Sequence, residues 1–168
     1  MAASPSTAFR IPVSDLLQEA GRRRAVALEA TVDWRVELSR VDPETPLVVE
    51  VSLESLPTGL LVRGSAAARM IHRCHRCVTE WTEEVLAEVA ELLGTDAEDE
   101  YRLDGDVADI EDPVRDAVLL TAPLVPACRE DCAGLCSVCG ADLNTGTCPG
   151  HDDEPDTPFA ALRGLLEP

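Results

Sequence analysis

The chain contains no lysine: all 14 of its basic residues are arginine. Against them stand 32 acidic residues, for a formal charge of −18. So negative a surface excludes general affinity for nucleic acid, itself a polyanion, and leaves a local arginine cluster as the route to RNA. Aromatics make up only 3% of the residues, so the core must rest on Val, Leu, Ala and Ile. No apolar run approaches the ~20 residues that span a bilayer. Met1 to Val13 also lacks the apolar stretch of a secretory leader. The expectation is a cytoplasmic protein with no membrane partner. His-Glu-x-x-His is missing, as is His-x-Glu combined with Pro-Cys-x-x-Cys, which removes the usual zinc hydrolase and deaminase signatures. Neither an enzyme nor a small-molecule substrate is expected.

What the chain does have is seven cysteines, six of them in three short pairs. They read Cys74-His-Arg-Cys77, Cys128-Arg-Glu-Asp-Cys132 and Cys136-Ser-Val-Cys139, followed by Cys148-Pro-Gly-His151. Short separations aim both sulfurs of a pair at one ion, and zinc is the usual occupant of such N/S donor sets. The 128–151 segment is rich in turn formers and poor in apolar residues, so it needs a staple. Structural zinc supplies roughly 10–16 kcal/mol of apparent binding energy in such modules. Cys74, Cys77, Cys128, Cys132, Cys136, Cys139, Cys148 and His151 are eight candidate ligands, enough for one Zn2+ or two. One division gives the first four to one ion and the last four to another. A rival division joins Cys74/Cys77 with Cys136/Cys139 in a single ribbon site. His72 and His75 read as exposed neighbours of the first pair rather than ligands. A dithiol oxidoreductase at Cys74/Cys77 is the weaker alternative, because no thioredoxin-like strand-to-helix unit surrounds it.

Three segments alternate with period two, as half-buried strands do. These are 31–38 (Val32, Trp34, Val36 and Leu38 inward), 47–54 (Leu47, Val49, Val51 and Leu53), and 60–70, which runs on into Cys74. Pro57-Thr58-Gly59 supplies a turn between the last two. Ser14 is placed to cap a short helix over Asp15–Ala20 that Gly21 ends, and Arg22 to Arg24 read as a solvated turn. Residues 80–93 fit a helix face or a strand equally well. Nine acidic residues from Asp96 to Asp112 face a single Arg102, which reads as a solvated loop or a lure for a basic protein. Asp112 and Pro113 then open a helix through Leu120, and Pro158–Leu166 forms a second. The fold class is α+β: an antiparallel sheet, a few short helices and a Cys-rich, zinc-binding C-terminal lobe. Its expected parts are a flexible tail (1–8), a sheet core with the first knuckle and an acidic loop at 95–112 (9–126), and the Cys-rich lobe with its helix (127–168).

These residues resemble the YceD family, the large ribosomal RNA subunit accumulation proteins. The likeness rests on Cys74-His-Arg-Cys77 after a hairpin, the acidic middle, and Ala122-Pro-Leu-Val-Pro-Ala-Cys128. It continues through Cys132-Ala-Gly-Leu-Cys136-Ser-Val-Cys139-Gly140-Ala-Asp-Leu-Asn144 and Pro158-Phe-Ala-Ala-Leu162. The resemblance implies a bacterial cytoplasmic, non-enzymatic factor for large-subunit (23S) rRNA accumulation and ribosome assembly. Its implied partners are that rRNA or a pre-ribosome and a basic ribosomal protein, since family genes commonly lie beside one for a large-subunit protein. Shorter members lack the 136–139 pair, which favours two separable sites, and the family's sheet tips 80–93 toward strand. Many relatives have a closer cysteine pair where this chain ends its cluster in Cys148-Pro-Gly-His151. Arg63, Arg69, Arg73 and Arg76 lie on or beside the hairpin and are the candidate RNA contacts. An acidic holding protein for a basic ribosomal protein is the alternative function.

Overall fold

A computed structural model describes residues 7–151 apart from 97 and 149. Residues 1–6 of the expected 1–8 tail and the helix at 158–166 therefore lie outside the described residues, while Thr7 and Ala8 are part of a 3-10 turn. A 3-10 turn, Thr7–Phe9, leads to strand β1 (Arg10–Pro12), then β2 (Arg23–Ala30), β3 (Arg35–Val36) and β4 (Ser39–Val41). The long strands follow: β5 (Leu47–Leu56), β6 (Gly59–Arg73) and β7 (Glu80–Gly94), with β8 (Val107–Asp109) and helix α1 (Glu111–Leu119) after them. Six strands form one antiparallel sheet in the order β2-β5-β6-β4-β3, with β7 on the other edge of β6. A separate two-stranded sheet joins β1 to β8. The α+β expectation thus resolves to a mostly antiparallel sheet with one α-helix among the described residues.

Alternation is the reason β5 and β6 form. Leu47, Val49, Val51 and Leu53 are buried, as are Leu60, Val62, Ala66, Ala68 and Met70. Two-residue turn Pro57-Thr58 sets the register that pairs Leu56 with Gly59. Gly59 has φ +147°, and a Cβ there would run into the Leu93 carbonyl, so the turn demands glycine. Residues 80–93 are strand over their whole length, with Ala87, Val89 and Leu93 facing inward. Helix α1 packs on this inner face through Val114 and Val118, together with Phe9, Val13, Leu16 and Ile110. Phe9 meets Trp34 with ring centroids 5.6 Å apart.

Five local expectations need correction. The Asp15–Ala20 helix is instead a run of turns; Leu16 and Leu17 both donate to the Val13 carbonyl, and Gly21 donates to Ser55. Six residues are too few to sustain a helix when the terminal amides find sheet partners. Arg23 and Arg24 start β2 rather than form a solvated turn, paired with Glu54 and Asp15 respectively. Of the 31–38 strand only Arg35–Val36 forms, as β3, and 31–34 carry no strand. Val32 and Trp34 are buried, but the chain reverses at Glu37 (φ +43°), and Val36 ends at the surface. Asp112 is not the cap of α1 but lies in its first turn, 2.6 Å from Arg115, while Asp109 accepts from the Glu111 amide. The acidic stretch is more structured than a loop: it contains β8, and Arg10 pairs with both Asp104 and Asp109.

Candidate metal centres

The β6–β7 ladder closes at Arg73 opposite Glu80, so residues 74–79 are the tip of a long hairpin. Within that tip the Cys74 amide donates to the Thr79 carbonyl and Val78 donates back to Cys74. The first cysteine pair is therefore mounted on the end of the most extensively paired strands in the molecule. Glu80 braces the base, accepting from Arg40 at 2.9 and 3.2 Å and from Arg73 at 3.1 Å. Those two guanidiniums hold its carboxyl down at about 2.

A second segment docks onto the tip. Both the backbone N–H and Nδ1 of His75 lie 2.9 Å from the Pro126 carbonyl, which feeds Cys128 and Cys132 toward the hairpin. The result is one tetrad, Cys74, Cys77, Cys128 and Cys132, with all four sulfurs within 4.8 Å of one another. Cys74 and Cys132 are 3.9 Å apart, Cys77 and Cys128 3.6 Å. Trp81 and Leu135 pack against this cluster. Four residues on, Cys136-Ser-Val-Cys139-Gly140 forms a knuckle: Gly140 (φ +73°) donates to Cys136, and Cys136 donates to Ala141. Cys148 and His151 complete a second tetrad, again within 4.8 Å. Its sulfurs stand 3.6 and 3.8 Å from one another across Cys148, and His151 Nε2 lies 3.2 Å from Cys136 and 2.9 Å from Cys148. The eight candidate ligands are thus grouped four and four, and the ribbon pairing of Cys74/Cys77 with Cys136/Cys139 is not formed.

The donor sets fit a tetrahedral ion. Four sulfurs at ~2.3 Å from a zinc would stand about 3.8 Å apart, whereas a disulfide needs about 2.05 Å. The observed 3.6–3.9 Å matches the former. His151 sits closer than the about 3.6 Å expected of a nitrogen–sulfur edge, so its ring must back away by roughly half an ångström. Thiol acidities tell the same story. Burial opposes ionisation at Cys74, but the backbone N–H groups of Cys128, Cys77 and Arg76 outweigh it and bring the thiol down to about 6. At Cys136 the N–H groups of Cys139 and Val138, with His151, do likewise, again to about 6. Cys128 is pushed up to about 12 by desolvation and by the neighbouring sulfurs. One tetrad cannot hold several thiolates without a cation between them, and a divalent ion relieves that repulsion while releasing protons. The two centres differ in depth. Cys74, Cys77 and Cys132 are buried, whereas Cys139 is exposed and Cys136 and Cys148 are half-buried.

The other flagged side chains fare differently. His72 is not an exposed neighbour but fully buried, 2.8 Å from Ser39 Oγ through Nδ1 and tilted at 36° against Trp81 with ring centroids 5.3 Å apart. It belongs to neither tetrad. Arg63, Arg69 and Arg73 share one face of β6, but ten residues of strand spread them over about 33 Å. Arg69 is paired with Glu84 and Arg73 with Glu80. Arg76 turns inward, donating to the Glu130 and Cys132 carbonyls at 3.0 and 3.1 Å. It clamps the docked segment to the hairpin tip. Gly134 (φ +79°) lies against it, with space for a Cβ only 3.1 Å from the Arg76 carbonyl. Sequence reasoning missed this clamp, and it missed Asn144, whose amide reaches the Cys132 sulfur at 3.6 Å. The Leu-Asn pair closing the family-like run was the available signal.

Comparison with known proteins identifies the family. The family model described as large ribosomal RNA subunit accumulation protein YceD matches residues 62–166, a span that holds both tetrads. An uncharacterised protein of Mycobacterium tuberculosis is 36% identical over 143 residues, covering 79% of this chain and 68% of its own length. One from Mycobacterium leprae is 32% identical over 165 residues, covering 88% and 75%. A maize chloroplast protein called large ribosomal RNA subunit accumulation protein YCED homolog 1 is 25% identical over 176 residues, covering 83% of this chain and 60% of its own. No solved structure matches the chain. With most of its sheet hairpin and every candidate ligand inside the matched span, the chain belongs to the YceD family of large ribosomal RNA subunit accumulation proteins.

Proposed function

We propose that this protein is a non-enzymatic, zinc-stapled cytoplasmic factor that sustains accumulation of large-subunit ribosomal RNA during ribosome assembly. The observation that carries the reading is the family match over 62–166, named for that role, with the two tetrads inside it. Thiolate-rich tetrads of four protein donors leave no open position for a reacting water, which supports a structural ion in each. Engagement of Cys74 and Cys77 with Cys128 and Cys132 also speaks against free dithiol chemistry. The name of the maize relative points the same way.

Direct contact with RNA is the weaker element of the proposal. Two of the four candidate arginines are neutralised by glutamates and a third clamps the lobe. A pre-ribosomal protein partner therefore suits the charge of −18 better than bare RNA. Depleting the protein should lower large-subunit rRNA relative to small-subunit rRNA. An unchanged ratio would sink the proposal.

A further inference from the structure

The two tetrads are not independent modules, because one side chain from the second loop is built into the first. Asn144 lies between Cys139 and Cys148, so its position is set by the second tetrad. Its Oδ1 accepts from the Ala133 amide at 2.8 Å and from Arg129 at 2.7 Å. Its Nδ2 donates to Asp142 Oδ1 at 2.8 Å and to Cys132 Sγ at 3.6 Å. This orientation of the amide is forced: Ala133 and Arg129 can only donate, and the Asp142 carboxylate only accepts. Asp142 also accepts from the Asn144 backbone at 2.9 Å, which locks the side chain in place. Cys132, the sulfur it reaches, is a buried ligand of the first tetrad.

We propose that Asn144 is a positioning residue through which an ion in the second tetrad strengthens binding of an ion in the first. An N–H donor to a thiolate disperses charge on the sulfur and fixes its direction. Loss of such a partner typically lowers metal affinity about 10–100-fold. Without the second ion, the loop from Cys139 to Cys148 keeps only its links at Ala141, Asp142, Leu143 and Asn144, which are too few to hold the amide on the Cys132 sulfur. Coupling of this kind is reciprocal, so the first ion equally favours the second. Backbone links also join the two centres, through Leu143 to Gly134 and Leu135 to Arg76. A test must separate these from Asn144. The inference rests on metal occupancy of both tetrads and not on the ribosomal reading.

The test uses the full chain loaded with zinc, and affinity at each tetrad is read by chelator competition with native mass spectrometry counting ions. Asn144→Ala should weaken the first site about 10–100-fold, while two ions still bind at saturating zinc. Asn144→Asp keeps the acceptor but removes the donor and should lose a similar factor. Cys148→Ser, which disables the second tetrad, should weaken the first site too. Combining it with Asn144→Ala should then add nothing further at the first site. Cobalt in place of zinc supplies a readout that mere loosening would not move: losing the N–H donor raises the sulfur lone pair and shifts the thiolate-to-metal band to longer wavelength. First-site affinity within twofold of wild type in Asn144→Ala overturns the proposal. So does a double variant in which the two losses multiply, since that assigns the coupling to the backbone links, and so does a wild-type chain that never holds two ions.

Discussion

The sheet body and the Cys-rich lobe are held together by different physics in one chain. Between Phe9 and Val118 the described residues enclose a continuous core of Val, Leu, Ala and Met, with burial alternating along β5 and β6. From 126 to 151 the described residues bury little besides Pro126, Cys132 and Gly134, and exposed Val138 shows how little apolar material is enclosed. Burying a large aliphatic side chain contributes roughly 1.5–3 kcal/mol, so the sheet can stand on its own contacts. The lobe instead brings together two tetrads that could each hold an ion, and on the proposed reading it depends on coordination. Where the two regions meet, at the tip of the β6–β7 hairpin, the sheet supplies two ligands and the lobe supplies the other two.

The largest effect that can break this comparison is metal removal. On the zinc-stapled reading proposed above, stripping the metal with a strong chelator removes apparent binding energy on the order of 10–16 kcal/mol. Hydrogen exchange should then show the amides of Leu135, Cys136, Gly140 and Leu143 losing protection. Those pairing Leu53 with Val62 should keep theirs. Simultaneous collapse of both sets would mean that the sheet needs the ions as well. The converse perturbation is Leu60→Ala, at a fully buried position facing Leu93 across the ladder. It should cost about 2–5 kcal/mol, read as a lower urea midpoint, with two zinc ions still counted at saturation. Loss of an ion in that variant would tie the lobe to the core more tightly than the described contacts imply.

The same division explains what could be read from the sequence. The 47–73 hairpin was legible because its period-two pattern coincides with a deeply buried face and a Pro-Thr-Gly turn. Strand β2 was not, because two arginines open it and its inner face, with Val26 and Leu28, is only half-buried. The alternation at 31–38 misled because Trp34 packs on Phe9 and the chain then reverses, a tertiary event with no local marker. The eight ligands were legible as types, yet their partition depends on Pro126 docking to His75. Spacing alone left two divisions open. Arg76 illustrates the limit: its charge suggested RNA, but the carbonyls of Glu130 and Cys132 claim its guanidinium.

The smallest expected effect separates the regions by their response to acid. Glu80 has its carboxyl held at about 2 by hydrogen bonds from Arg40 and then Arg73, against an ordinary 4.5. A carboxyl whose folded value is depressed adds stability that is fully present above its unfolded value. That stability fades as pH falls from about 4.5 toward about 2. Both arginine contacts are solvent-accessible, so the contribution is modest and should shrink further in high salt. Zinc thiolates protonate well above that window, so the lobe should release metal before the sheet registers the change. In metal-free protein, the stability gap between wild type and Glu80→Gln should hold steady from neutral pH to about 5 and close toward pH 2. A Glu80 carboxyl titrating near 4.5 by NMR would show that the base of the hairpin is not braced in this way. The ligand-bearing tip would then be anchored by the β6–β7 ladder, the β4 pairing and the docked segment without help from Glu80.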